Sequence, residues 1–317
     1  MTRAAPMGRP WRLALGLAVA VPAAQLPDFL FGSPSLLRFA WAGVLGAVVF
    51  GALFAPLDRL RTVPWGRLLT VLSVAAFVAF TALSVRHYAT YGDILARDTA
   101  YYDQIFRSAL DGTAPWTGSI LQALFHDPPL EGHWAIHFTP IAYLILPFYA
   151  VMPGVNTLLA SRNLLLVLAA WPMYLLAARR LGRESAFLVT LALFATPTML
   201  HQPLNAFYFY VGAVAPFLWA WYFAEEGRAG LMALSCFGLL LVREDMGIAV
   251  SALGAVAALD HILRRRGRGE AGTTDVIWVG TALVLFGAAW WVGISRFVMP
   301  LWGSATGAAT MSLYAGW

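Results

Sequence analysis

Residues 87–140 read HYATYGDILARDTAYYDQIFRSALDGTAPWTGSILQALFHDPPLEGHWAIHFTP and carry Asp93, Asp98, Asp103, Asp111, Asp127 and Glu131 with His87, His126, His133 and His137. Apolar runs flank this stretch on both sides, so it reads as a long polar loop between membrane helices. Loops of that kind tend to carry function while the helices hold them in place. Any chemistry this chain performs is expected here.

Composition sets the surroundings of that loop. Of 317 residues, 60% are hydrophobic and only 12% are charged, whereas a soluble domain is roughly 25% charged. The chain therefore reads as an all-α polytopic membrane protein. Its net charge of +5 comes from arginines alone, set in short clusters beside apolar runs. That placement orients helices in a bilayer and does not call for nucleic acid as a partner. The single cysteine, Cys236, lies in an apolar run, which excludes an intramolecular disulfide and a cysteine-based zinc site.

A membrane helix needs about 20 mainly apolar residues, and nine stretches qualify: roughly 11–31, 36–55, 66–86, 156–178, 185–201, 209–224, 229–243, 246–263 and 276–295. The first follows Arg3, Arg9 and Arg12 as a signal peptide would. It contains Pro22, Pro27 and Asp28 and runs straight into the next, so residues 1–60 are expected to form a retained transmembrane hairpin ahead of a membrane domain over 61–317. With the N-terminus cytoplasmic, Arg59, Arg61 and Arg67, the Arg179 cluster, Arg228 and Arg264–Arg268 all fall inside. The pattern holds only if Ile141–Met152, with Pro140, Pro147 and Pro153 in or beside it, does not cross, so that segment is expected to be interfacial or re-entrant. The loop over 87–155, the turn His201–Tyr210, the triplet Arg243-Glu244-Asp245 and the tail after Arg296 then share the outer face of the cell membrane. Polar groups are costly in lipid, which favours turning these patches into one cavity.

Within the loop, Tyr101, Tyr102, Ile105, Phe106, Ala109 and Leu110 fall at helical spacing and predict a helix along the membrane surface. Asp98 sits just before it and Gly112 just after. Asp98 reads either as an N-cap or as a carboxylate at the mouth of the cavity. Asp103 reads as an ion-pair partner of Arg107, four residues on, or as an alternate carboxylate. His133 and His137 also stand four apart, a spacing open to a metal pair, though hydrogen bonding is the plainer reading and no metal site is assigned. Arg162, about a turn into an apolar helix, either snorkels or holds a lipid phosphate. In Arg243-Glu244-Asp245 the arginine either neutralises its neighbours or binds an anion, and Asp245 is a candidate helix cap.

The order of these motifs resembles an uncharacterised bacterial membrane-protein family, domain of unknown function 2079. The carriers are Asp98 followed by Tyr102-Asp103-Gln104, then His137-Phe138-Thr139-Pro140, Asn205-Ala206-Phe207 and Val242-Arg243-Glu244-Asp245. That family in turn looks like the type C glycosyltransferase superfamily. Asp98, Gly112, the segment from Pro140 to Pro153, Arg162 and Arg179-Arg180 stand where that superfamily places an acidic motif, the end of a surface helix, an amphipathic segment and a basic-ended membrane helix. After Asn205-Ala206-Phe207 the family tends to show Asp-Phe-His-Pro-Glu, whereas this chain reads Tyr208-Phe209-Tyr210-Val211-Gly212. Relatives also typically continue through further membrane helices, so the resemblance implies a fragment or a reduced member.

The resemblance implies a glycosyltransferase-like protein that takes a sugar from a polyprenyl-phosphate donor at the outer face, amid membrane lipids. In that mechanism Asp98 is the base, with Asp103 as its alternate, and Arg243 and Arg162 hold the departing phosphate. Tyr102, His137 and Asn205 shape the sugar pocket, next to Glu244 and Asp245. No cofactor is named; a divalent cation is compatible with the site and not required by it. Two other readings stand beside this one. A non-catalytic glycan-binding or scaffold protein is favoured by the missing acidic pattern. A transporter is disfavoured by charges gathered at one face instead of the midplane.

Overall fold

The computed structural model describes residues 64–112, 116–118, 132–268 and 274–302. The hairpin expected over 1–60, and His126, Asp127 and Glu131, lie outside the described residues. The described residues are all-α, with no strand among them. Four helical stretches are long and apolar enough to cross a membrane: Trp65–Tyr91, Val155–Leu181, Met246–Arg265 and Thr274–Trp302. A fifth is counted if Arg183–Phe194 and Pro197–Leu204, bent by 47° at their junction, form one span. Pro197 explains that bend, since it cannot donate to the helix before it, and Thr196 caps the new helix through its side chain.

The sequence expects seven spans beyond residue 63, and these five match. The other two, at 209–224 and 229–243, are not among the helices long and apolar enough to cross. Phe209–Ala213 is a 3₁₀ turn, and the α-helices Val214–Glu225 and Ala229–Leu240 have 12 residues each. At 1.5 Å per residue such a helix measures about 18 Å, short of a bilayer core of about 30 Å. Gly227, at φ 71°, turns the chain back between them.

The chain divides into two compact units, residues up to Ser84 with Ala170–Asn205, and Val85–Ala169 with Ala206 onward. In the first, the opening part of helix α1 (Trp65–Asp111) packs with Arg183–Phe194 through aromatic pairs, Trp65 on Phe187 at 5.4 Å and Phe80 on Phe194 at 6.2 Å.

The second unit holds the later part of α1, helix α2 (Ala142–Val151), helix α3 (Val155–Val167) and the helices after residue 206. Helix α1 does not stop before the surface helix expected from residue 99. It runs through, with a break in backbone angles at Tyr91 (φ −123°, ψ 15°). Asp98 is therefore inside a helix, and the N-cap reading is wrong. The predicted apolar face forms: Tyr102, Ile105 and Phe106 are buried, Tyr101 and Ala109 are packed against them, and Gly112 closes the helix at φ 71°. Helix α2 has ten residues, too few to cross alone.

The last two long helices of this unit, Met246–Arg268 and Thr274–Gly293, touch backbone to backbone. A Cβ on Gly254 would lie 2.5 Å from the Gly280 carbonyl oxygen and 2.9 Å from Leu283 Cβ, and Ser251 donates to the Val284 carbonyl at 2.9 Å. Small residues permit this approach between membrane helices, where close packing takes the place of hydrophobic drive. Gly254→Leu is expected to cost about 1–3 kcal/mol. Thermal unfolding in detergent checks this, and an unchanged midpoint would mean the helices are not in contact there. Outward faces carrying Phe237, Trp278, Leu285 and Phe286 are exposed and apolar, as lipid contact requires.

Candidate functional site

All the groups of this site belong to the second unit. Its floor is aromatic. The ring of Tyr102 meets Phe207 and Phe209 edge-on, each at 5.1 Å, and His133 at 5.5 Å, while Phe106 and Tyr149 continue the layer. Helix α1 delivers Tyr102 and Phe106 four residues apart on one face, which is why the apolar periodicity of 101–110 decides where the polar groups stand.

Two backbone segments are pinned over this floor. Glu244, 5% exposed, accepts the Phe138 N–H at 2.9 Å on Oε2 and His137 Nδ1–H at 3.0 Å on Oε1. The Ile141 N–H donates to the Leu241 carbonyl at 2.7 Å. Thus His137-Phe138-Thr139-Pro140 and Val242-Arg243-Glu244-Asp245, about a hundred residues apart, form one structure. The second segment is 206–208. Arg162 donates from Nη1 to the Ala206 carbonyl at 2.9 Å, and Thr99 Oγ1 accepts the Phe207 N–H at 3.0 Å. Tyr208 follows and donates its hydroxyl to Asp98 Oδ2.

Asp98 is exposed and keeps Oδ1 clear of any hydrogen bond among the described residues. The Tyr102 hydroxyl likewise makes none among them. It lies in the field of Asp98, Tyr208, Arg243 and Glu244. Burial first, and the negative charge of Asp98 after it, raise the Tyr102 phenol above its ordinary range; burial and the bond to Asp98 do the same for Tyr208. Both stay protonated and able to donate.

Beneath them His133, 1% exposed, accepts the Tyr101 hydroxyl on Nδ1 at 2.5 Å, and its Nε2–H donates to Thr139 Oγ1 at 3.1 Å. Both ring nitrogens are occupied, so the His133/His137 spacing does not make a metal pair here. Burial, aided by His137, pushes the His133 imidazole down to about 3 from 6.5. The unfolded chain takes a proton near 6.5 that the folded chain refuses. The resulting stability is present above that pH and lost as pH falls toward 3. Unfolding midpoints in detergent should drop between pH 7.5 and 4.5, with a shallower drop in His133→Phe. Parallel slopes would remove His133 as the source.

The other candidate residues sit as follows. Asp103 takes the Tyr149 hydroxyl at 2.5 Å and Arg107 Nε at 2.9 Å, which ties α1 to α2 and realises the ion pair read from the spacing. Arg243 grips Asp245 through Nε at 2.8 Å and through Nη2, so Asp245 serves its neighbour and does not cap the next helix. Arg162 is 0% exposed and does not snorkel. Asn205 falls in the first unit, where it donates to His201 at 3.0 Å.

Residues 95–316 match the family described as predicted membrane protein, DUF2079. The chain belongs to this family. The DUF2079 match takes in Asp98, Tyr102, His137, Arg162, Asn205 and Arg243–Asp245 together. No curated protein and no solved structure matches. Within this DUF2079 chain, sequence reasoning missed Tyr208, Tyr101, Thr99 and Thr139. The available signal for Tyr208 was its place directly after Asn205-Ala206-Phe207, read there as a loss of acids instead of a gain of phenol.

Proposed function

We propose that the chain is a membrane glycosyltransferase-like protein that moves a sugar from a polyprenyl-phosphate donor at the outer face of the cell membrane. The observation that carries this reading is the meeting of Asp98, Tyr102, Tyr208, His137 and Arg243 above one aromatic floor. Sidedness rests on the arginine pattern, with the N-terminus inside.

Asp98 Oδ1 takes the proton of an acceptor hydroxyl while that oxygen forms a bond to the anomeric carbon. The bond from that carbon to the phosphate oxygen breaks, and its electron pair leaves with the lipid phosphate. Tyr208 fixes the other carboxylate oxygen. Arg243 faces the departing charge and Asp245 orients it. Asp103 is too committed to Tyr149 and Arg107 to serve as the base, and Arg162 acts through the Ala206 carbonyl as a positioning residue. Membranes carrying the protein, incubated with radiolabelled polyprenyl-phosphate sugars, should label an acceptor; membranes with no transfer from any such donor would refute the enzyme.

One observation favours the second reading, a non-catalytic glycan-binding or scaffold protein: the half-buried Arg243 of the site is already paired with Asp245. Lipid-linked sugar that copurifies and never turns over would support it.

A further inference from the structure

Tyr208 and Tyr210 stack on one another, with ring centroids 5.2 Å apart and planes inclined by 24°. Tyr210 is 38% exposed, so the stack covers one side of it and leaves surface open. The pair is not a loose surface feature. Arg162 and Thr99 clamp the backbone just before it, and the hydroxyl of Tyr208 is tied to Asp98. An open phenol ring beside a carboxylate with a free oxygen suits one class of ligand. The C–H face of a pyranose packs on an aromatic face, and the ring hydroxyls find an acceptor in the exposed Asp98.

We propose that Tyr210, backed by Tyr208, is the stacking platform for a neutral pyranose ring, with the exposed Asp98 carboxylate reading the hydroxyls at its edge. This deepens the glycosyltransferase-like reading and rests on it for the sugar's lipid source, though not for the binding itself. It makes Tyr210 a specificity-determining residue.

The test uses the full chain in a detergent without a sugar head group and three probes: methyl α-mannopyranoside, methyl β-glucopyranoside and methyl β-galactopyranoside. Saturation-transfer NMR should show at least one bound, with the strongest transfer to protons of one ring face. Tyr210→Ala should weaken that binding about 5-fold, a factor typical of a lost aromatic contact. Tyr210→Phe should retain it, which separates lost stacking from a damaged fold. No transfer to any probe, or equal transfer in Tyr210→Ala, overturns the platform and leaves Tyr210 as an interfacial anchor. Turnover that survives alongside such a result keeps the enzyme and sinks only the platform; binding that depends on Tyr210 without turnover does the reverse.

Discussion

Asp98→Asn is expected to lower the proposed sugar transfer by about 10²–10⁴-fold, the range lost when a general base is removed, and to leave the unfolding midpoint in detergent nearly unchanged. The asymmetry follows from where Asp98 sits. Its carboxylate is exposed and accepts one hydrogen bond, from Tyr208. An asparagine oxygen accepts that same bond, so the fold keeps its contact while the proton acceptor is gone. Asp103→Asn, by contrast, should change stability more than transfer, because both Tyr149 and Arg107 lean on that carboxylate. Transfer undiminished in Asp98→Asn would take Asp98 out of the mechanism.

Glu244→Ala produces the opposite pattern, a loss of stability on the order of 3 kcal/mol. Glu244 is buried and accepts from both the Phe138 backbone and His137. Truncation strands a buried N–H and frees the segment 137–140 from the turn before the Met246 helix. Glu244→Gln keeps an acceptor for Phe138 and should cost about 1 kcal/mol, the worth of an ordinary hydrogen bond. Denaturant or thermal unfolding of the purified protein in detergent distinguishes the three. Equal midpoints for wild type and Glu244→Ala would show that the two motifs are not joined through this side chain.

The long spans were legible because composition and length suffice for them: 20 apolar residues in a row have few alternatives. The two short helices after Phe209 were not, since apolar content cannot reveal that Phe209–Ala213 winds as a 3₁₀ turn or that Gly227 turns the chain early. The grouping of Tyr102, His137, Glu244 and Asp98 was expected from a sidedness argued from arginines, and these four side chains do come together. The bonds themselves were not, because Glu244 reaching the Phe138 N–H is a tertiary event that neither motif announces by itself. The partner of Arg162 was not legible for a related reason. A helix position gives no sign that a backbone carbonyl 44 residues on, that of Ala206, waits for its guanidinium.

Asp98 and the Arg243–Asp245 turn are expected to open onto one compartment. In a Cys236→Ala background, Asp98→Cys and Asp245→Cys can each be treated with a membrane-impermeant maleimide in right-side-out and in inverted vesicles. Both cysteines should label in right-side-out vesicles and neither in inverted ones. Labelling of the two from opposite sides would contradict it.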